Sequence, residues 1–423
     1  MRKQPLLAVA LVSSLLAACG GSSSSGPCDG VTGTCVAIDA AATETVISAA
    51  FVQAAAGSTI AFPAGTFTFK NSLNLASVKG VTIKGAGIGQ TILDFSTLVG
   101  SGEGIVATAT DNLLFVDFTA RDTKGNGIKV VGSKGVTWRR VQTIWTSADV
   151  HTHGAYGLYP VQSHYILIEN CEVAGAADAG IYVGQSHNVI VRGCRAEQNV
   201  AGIEIENTID ADVHDNVATG NTGGILVFNM PNLSQPGHST RVFHNKVDAN
   251  NLGNFGAKGT AVSSVPAGSG VVVNSNSLVE IFDNDVTNNV TANVIISSYF
   301  STGYFNTKGV QPGYDPYPRG IAVHDNRFAG GGDSPDGMDL KVLKTAMFGL
   351  NGHFPDVLWD GYVDAKRPDV PEERLCVDAT ASGVLNADGP NKYKDPRLVG
   401  DALRCKLAPL APVTLAVAAP AKS

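Results

Sequence analysis

The sequence predicts an all-β chain: a right-handed single-stranded parallel β-helix with an N-terminal capping helix and an irregular, disulfide-clamped C-terminal cover. Three observations predict it. Glycine-led apolar strands recur at a near-constant step, with GLYPV at Gly157, GIYVG at Gly180, GIEIE at Gly202 and GILVF at Gly224 separated by 23, 22 and 22 residues. A second alternating piece follows each of them and closes on a polar corner, as in ENCEV, RGCRA, HDNVA, FHNKV, FDNDV and HDNRF. Finally, 48 glycines and only 4 methionines, with no helical-period run between the strands, leave little room for a helical bundle. One repeat is then one coil, and 423 residues with 44% apolar content can bury a long core.

The elements follow in chain order. Residues 1–18 have a basic start at Arg2 and Lys3, an apolar run from Leu6 to Leu16 and small residues thereafter, the pattern of an export signal too short to span a bilayer. Residues 19–36 form a polar, serine-rich tether. Residues 37–350 hold the β-helix, whose open first coil needs a cover. TETVISAAFVQAAA supplies one, because Val46, Ile47, Ala50, Phe51 and Ala54 recur at helical spacing. Residues 351–423 are the Pro-rich cover, and PLAPVTLAVAAPAKS reads as a frayed end.

Within each coil the residues after the glycine alternate, so Ile181, Val183, Ile203, Ile205, Ile225 and Val227 point inward as aliphatic ladders. The outward column is Lys129, Tyr159, Tyr182, Glu204 and Leu226, with Gly184, Glu206 and Phe228 two residues further along. Asn170, Asn216, Asn245, Asn284 and Asn326 read as corner residues bonding to backbone of neighbouring coils. Segments MPNLSQPGH and SSVPAGSG are excursions that could wall a groove.

Charge and cysteine content narrow the function classes. With 30 Lys and Arg against 37 Asp and Glu the formal net charge is −7, more negative still once the signal leaves, which argues against nucleic acid as a partner. Of 7 cysteines, Cys19 falls at the end of the signal, which leaves six for an oxidising compartment. The simplest pairing is local: Cys28 with Cys35, Cys376 with Cys405, and Cys171 with Cys194. Cys171 and Cys194 share a register, and two buried thiols fit that position as well as a disulfide does. No Cys-x-x-Cys-His is present, so the chain is not itself a c-type cytochrome.

Candidate chemistry gathers on the outward face. Glu204 and Glu206 lie on one side of a strand, about 6.6 Å apart at the backbone, a spacing compatible with paired carboxylates, and Tyr182 in the adjacent coil could donate a proton or stack on a sugar. A divalent cation such as calcium could bridge the pair instead. The same alternation also fits an ordinary solvated face. Tyr159, Gln185, Asn207, Phe228 and Asn229 share the surface as candidate ligand contacts. Gly127 to Gly157 is 30 residues, longer than the repeat, and this insertion carries Asp149, His151 and His153, which if extended would point one way as a metal or proton-transfer site. Trp145 reads as loop packing.

Three resemblances add to this reading. The runs HGAYGLYPVQSH, DAGIYVGQS, NVAGIEIENT and TGGILVFNMPNL resemble a family of bacterial parallel β-helix repeat lipoproteins, which implies export, lipid anchoring and gene pairing with a di-haem c-type cytochrome. Leu16-Ala17-Ala18-Cys19 is similar to the bacterial lipobox, which implies cleavage before Cys19 and a lipid on its sulfur. In a Gram-negative host, Gly20 after it, rather than Asp, favours the outer membrane, facing the periplasm or the exterior. YGLYPV also resembles the Tyr-Gly-[Phe/Ile]-Asp-Pro-His signature of alginate epimerases and lyases on the same fold. It keeps Tyr156, Gly157 and Pro160, with Tyr159 in the acidic position and Val161 in the histidine position. The expected function is therefore binding or processing of a polysaccharide, lyase- or hydrolase-like, on the outward face of the central coils. The alternative is a non-catalytic periplasmic scaffold, a partner of a c-type cytochrome or of a metal-handling system.

Overall fold

A computed structural model describes residues 26–100, 102–302, 310–367, 369–378 and 383–415. The signal, Cys19 and the first part of the tether lie outside them. The chain winds as a right-handed parallel β-helix. One sheet holds twelve strands, from Leu73–Ala76 to Arg397–Leu398, parallel throughout except for its last pair. The remaining strands line the other faces of the coil in the same parallel sense.

Register explains why this sequence stacks. Leu158, Ile181, Ile203, Ile225, Val271 and Val294 are successive partners along one inward column, and Val183, Ile205, Val227, Val273 and Ile296 form the next. All are buried, so every coil adds β-branched or leucine side chains to a continuous core. The lower coils fill the same space with rings, Phe69 stacked on Phe95 and Phe115 on Trp138.

Helix α1 (Glu44–Val52) covers the first coil with Ile47 and Phe51. Ala50 and Ala54 pack beside them, whereas Val46, expected on the same face, is 57% exposed. Nine residues give the helix only one buried stripe, and Val46 falls off its edge. The Glu44 carboxylate pins the helix by accepting from the backbone N–H groups of Lys70 and Asn71.

The far end differs from the expectation in three ways. Regular stacking continues past residue 350, since Val357–Trp359 and Val384–Asn386 extend the twelve-stranded sheet and Leu375–Val377 extends another. A second helix, α2 (Met338–Phe348), lies between coils. The tail is not frayed up to Leu415: the N–H of Leu410 donates to Glu280 at 3.0 Å and that of Val413 to Asp212 at 3.1 Å. Glu280 and Asp212 flank Arg241 in one register column, so the tail runs back along the solenoid.

Disulfides Cys28–Cys35 and Cys376–Cys405 form as expected. The third does not: Cys171 and Cys194 are free, buried thiols. They continue a ladder of corner side chains. Asn216, Asn245, Asn284 and Asn326 each accept from the backbone N–H of the residue one coil earlier, Asn216 from Cys194, and Cys194 Sγ accepts from Cys171 N. Asn170, read as part of this ladder, stands one residue outside it in a left-handed conformation (φ 54°), and Cys171 takes the ladder place.

Candidate active site

The twelve-stranded sheet presents its outward column to a roofed cleft rather than to open solvent. Glu204 pairs with Tyr182 on one side and Leu226 on the other, and Glu206 pairs with Gly184 and Phe228. Three segments rise over this face. Residues 230–237 are held down by Asn207, whose side-chain nitrogen donates to Met230 O and Gln235 O, by Asn229, which accepts from Gly237 N, and by Gln185, which accepts from Ser234. Asn254 fastens a second segment by donating to the carbonyls of Val262 and Val265. Tyr314 braces a third by donating to Asn229 O. The cleft, open on one side, has a volume of about 680 Å³ and is floored by Tyr156, Asp178, Glu204 and Glu206.

Glu204 is only 2% exposed, and its Oε2 has no hydrogen-bond partner among the described residues. The solvated-face alternative is thereby overturned for Glu204, because the roof removes the water that a surface glutamate would face. Glu206 is half-buried, and its Oε1 accepts from the Tyr182 hydroxyl at 2.6 Å. Tyr182 reaches it by leaning across Gly184, where an added Cβ would meet the ring at 2.4 Å. Gly184 therefore shapes the site by steric room, not by an unusual backbone angle. Tyr156, Tyr159 and Tyr182 cluster with ring centroids 4.4 to 5.0 Å apart.

Asp178 is the site residue that sequence reading missed. It occupies a corner position that the next coil fills with Val200, and a charged residue in a column otherwise of small, apolar or hydroxyl side chains is the signal that could have found it. Burial and the neighbouring Glu206 push its carboxyl up to about 8, partly offset by the Tyr156 hydroxyl. Burial, then Asp178 and Glu206, push Glu204 well above the carboxylate range. Burial also raises Glu206, against the opposing pull of the Tyr182 hydrogen bond. The phenols move up as well, Tyr159 to about 12, chiefly by burial, so they stay protonated near neutrality. The result is a largely buried cluster with several protons and several acceptors on one floor.

Other expected site residues lie elsewhere or serve the roof. Asn207, Asn229 and the Gln185 side-chain oxygen hold the loop at 230–237, with Asn229 also donating to Ser275 O, so they position the cleft wall. Phe228 faces a neighbouring apolar groove of about 640 Å³ under α2. The insertion carrying Asp149, His151 and His153 is not extended: Val150–Thr152 is a 3-10 turn capped by Asp149, whose carboxylate accepts from His151 N. His151 is exposed, and both His153 ring nitrogens face backbone carbonyls, Gly175 O at 2.6 Å and Ser147 O at 2.9 Å. A turn rotates successive side chains apart, which is why the proposed metal trio does not converge and why His153 serves the loop. No three His, Cys, Asp or Glu form a metal-holding set among the described residues. Trp145 packs the same insertion and donates to Thr123 O.

Comparison with known proteins points the same way for the fold. The profile of the family described as right handed beta helix region matches residues 67–234 and, overlapping, 145–308. Among solved structures, a mannuronan C-5 epimerase A-module from Azotobacter vinelandii is similar with a TM-score of 0.52 at 18% identity, covering 78% of this chain and 89% of its own. A polygalacturonase from Erwinia carotovora aligns with a TM-score of 0.47 at 11% identity, covering 71% of this chain and 93% of its own. No curated protein matches the chain in sequence. At such identities the likeness is one of fold.

Proposed function

Since the chain belongs to the right-handed β-helix family, we propose that its fold carries a glycan-processing site in the cleft over Glu204 and Glu206, acting by acid–base chemistry of the lyase or hydrolase kind. The observation that carries this reading is the pairing of a tethered acceptor, Glu206 under the Tyr182 hydroxyl, with a carboxyl at Asp178 that keeps its proton to about pH 8. A proton donor and a hydrogen-bonded carboxyl acceptor on one cleft floor are what bond cleavage at a glycosidic oxygen requires. Asp178 gives its proton to the leaving oxygen, and Glu206 takes one from the attacking water or from the sugar carbon. Glu204 feels the charge of both carboxyls and so ties its own proton to theirs. The polysaccharide-acting names of the similar structures support the class of substrate.

The test is a depolymerisation screen on polysaccharides, followed by the double variant Glu204→Gln with Glu206→Gln. Turnover is expected to fall by about 100-fold or more while the fold stays intact. Tyr182→Phe should lower turnover and spare binding. Unchanged turnover in the double variant would favour the scaffold reading, to which a c-type cytochrome partner belongs.

The N-terminal sequence supports a place in the cell envelope, as an outer-membrane lipoprotein anchored through Cys19. No helix among the described residues is long and apolar enough to cross a membrane. Cys19→Ala should release the protein from membranes, and mass spectrometry finding an unlipidated wild-type N-terminus would end the anchor reading.

A further inference from the structure

We propose that the cleft takes an amine-bearing sugar, whose free ammonium group seats among Asp178, Glu204 and Glu206 beside the tyrosine rings. This rests on the carbohydrate reading above and adds the charge of the substrate. Three carboxyl groups floor the cleft, and no Lys, Arg or His lines it among the described residues. Lys129, on the same face, lies 5.3 Å from the Tyr159 ring centroid and is already paired with Glu103 at 3.3 Å.

The second observation is the orphaned Glu204 Oε2, buried and without a donor. A polar atom left so in a dry site is costly, and a ligand that brings a donor relieves the cost. A sugar hydroxyl brings one donor and no charge. An ammonium group brings three donors and a positive charge that opposes the upward push on these carboxyls, so its arrival drives them towards the ionised form that accepts its hydrogen bonds. Tyr156 and Tyr299 line the same cleft and add aromatic surface of the kind that attracts ammonium ions. A uronate would instead add a fourth acidic group to a floor whose carboxyls already push one another's pKa up, with no cation among the described lining residues to meet it. N-acetylation would remove the charge and leave Glu204 no better partnered than a neutral sugar does. The cleft volume falls within the about 300–1,000 Å³ usual for small-ligand sites, enough for a short stretch of a chain.

Calorimetric titration of the full-length, detergent-solubilised protein near neutral pH tests this with five probes. They are a β-linked glucosamine oligomer with free amines, its N-acetylated counterpart, a neutral glucan of equal length, an oligouronate, and a linear polyamine. The amine-bearing oligomer is expected to bind at least about 10-fold tighter than each of the others. Glu204→Gln should cost that binding about 10-fold, and Asp178→Asn, which removes a different member of the trio, should do the same. Asp325→Asn, at an exposed corner away from the cleft, should change nothing, which separates the site from general attraction to a negative chain. Equal or tighter binding of the N-acetylated, neutral or uronate oligomer would overturn the charge assignment and leave the carbohydrate reading standing. Equal binding of the polyamine, or amine binding indifferent to both cleft variants, would overturn it too. Silence from every sugar would sink both readings together.

Discussion

Asp178 shows how much one side chain depends on its surroundings. Its carboxyl ordinarily titrates at 3.8 and is pushed up to about 8 here, so the folded chain holds the proton more tightly than the unfolded chain does. The stability linked to that proton is full below the unfolded value and is lost as pH rises through about 8. Ionisation therefore costs stability across roughly pH 4 to 8, and Asp178→Asn should remove the cost. The variant is expected to match the wild type in Tm near pH 4 and to exceed it at pH 8. With each pKa unit equal to about 1.4 kcal/mol, the gain is on the order of a few kcal/mol. A Tm difference that stays the same at both pH values would show that Asp178 titrates as a surface aspartate. Glu204 and Glu206 add to the trend in the same sense, since both are raised, so ionising the floor costs stability as pH rises.

Among the elements, the corner ladders decide how well one coil sits on the next. Asn245 accepts from Asn216 N and Asn216 Nδ2, and donates to Val213 O and Asn284 Oδ1, all of it buried. A second ladder, Asn199, Asn221, Asn250 and Asn289, repeats the scheme at another corner. A third, of hydroxyls, runs through Ser133, Ser163, Ser186 and Thr208. Asn245→Ala strands several buried polar groups and should cost about 2–4 kcal/mol in chemical denaturation, from about 1–3 kcal/mol per unsatisfied group. Cys194→Asn should do the opposite. Its amide would accept from Cys171 N in place of a sulfur at 3.4 Å and could donate to Ile168 O, which the thiol now meets at 3.7 Å. The expected gain is about 1 kcal/mol. A loss on Cys194→Asn would mean that this corner is shaped for sulfur.

At the scale of the whole molecule, a solenoid is as strong as its ends, because each coil is buried only by its neighbours. The Cys376–Cys405 bond closes a loop of 29 residues, which restricts the unfolded chain by on the order of 3 kcal/mol. It also sets where the tail begins its return along the coils towards Glu280 and Asp212. Replacing both cysteines by Ser should lower Tm and raise hydrogen exchange first in Leu375–Val377, Val384–Asn386 and the tail, leaving the coils around Glu204 protected. Uniform exchange along the solenoid would show that the clamp does not act locally.

The sequence by itself determined the coil. A repeat of 22 or 23 residues with alternating apolar positions after each glycine can bury its side chains only by stacking on copies of itself, and that stacking fixes which residues are neighbours. Glu204 beside Tyr182 and Glu206 beside Gly184 were legible for that reason, since register is a local, period-two property. What lies above the face was not. Whether Glu204 is wet or dry depends on where excursions of irregular length fold back, and they are placed by side-chain clamps such as Asn207 to Met230 and Gln235, which leave no periodic trace. Asp149 and His153 failed for a related reason: a three-residue turn inside the insertion undoes an alternation that only an extended strand would keep. Asp178 joined the site, and the two thiols stayed apart, because burial and corner geometry are set by the packed coils. The order of the chain fixed the neighbours; the depth at which they sit, and so the protons they hold, came from the roof.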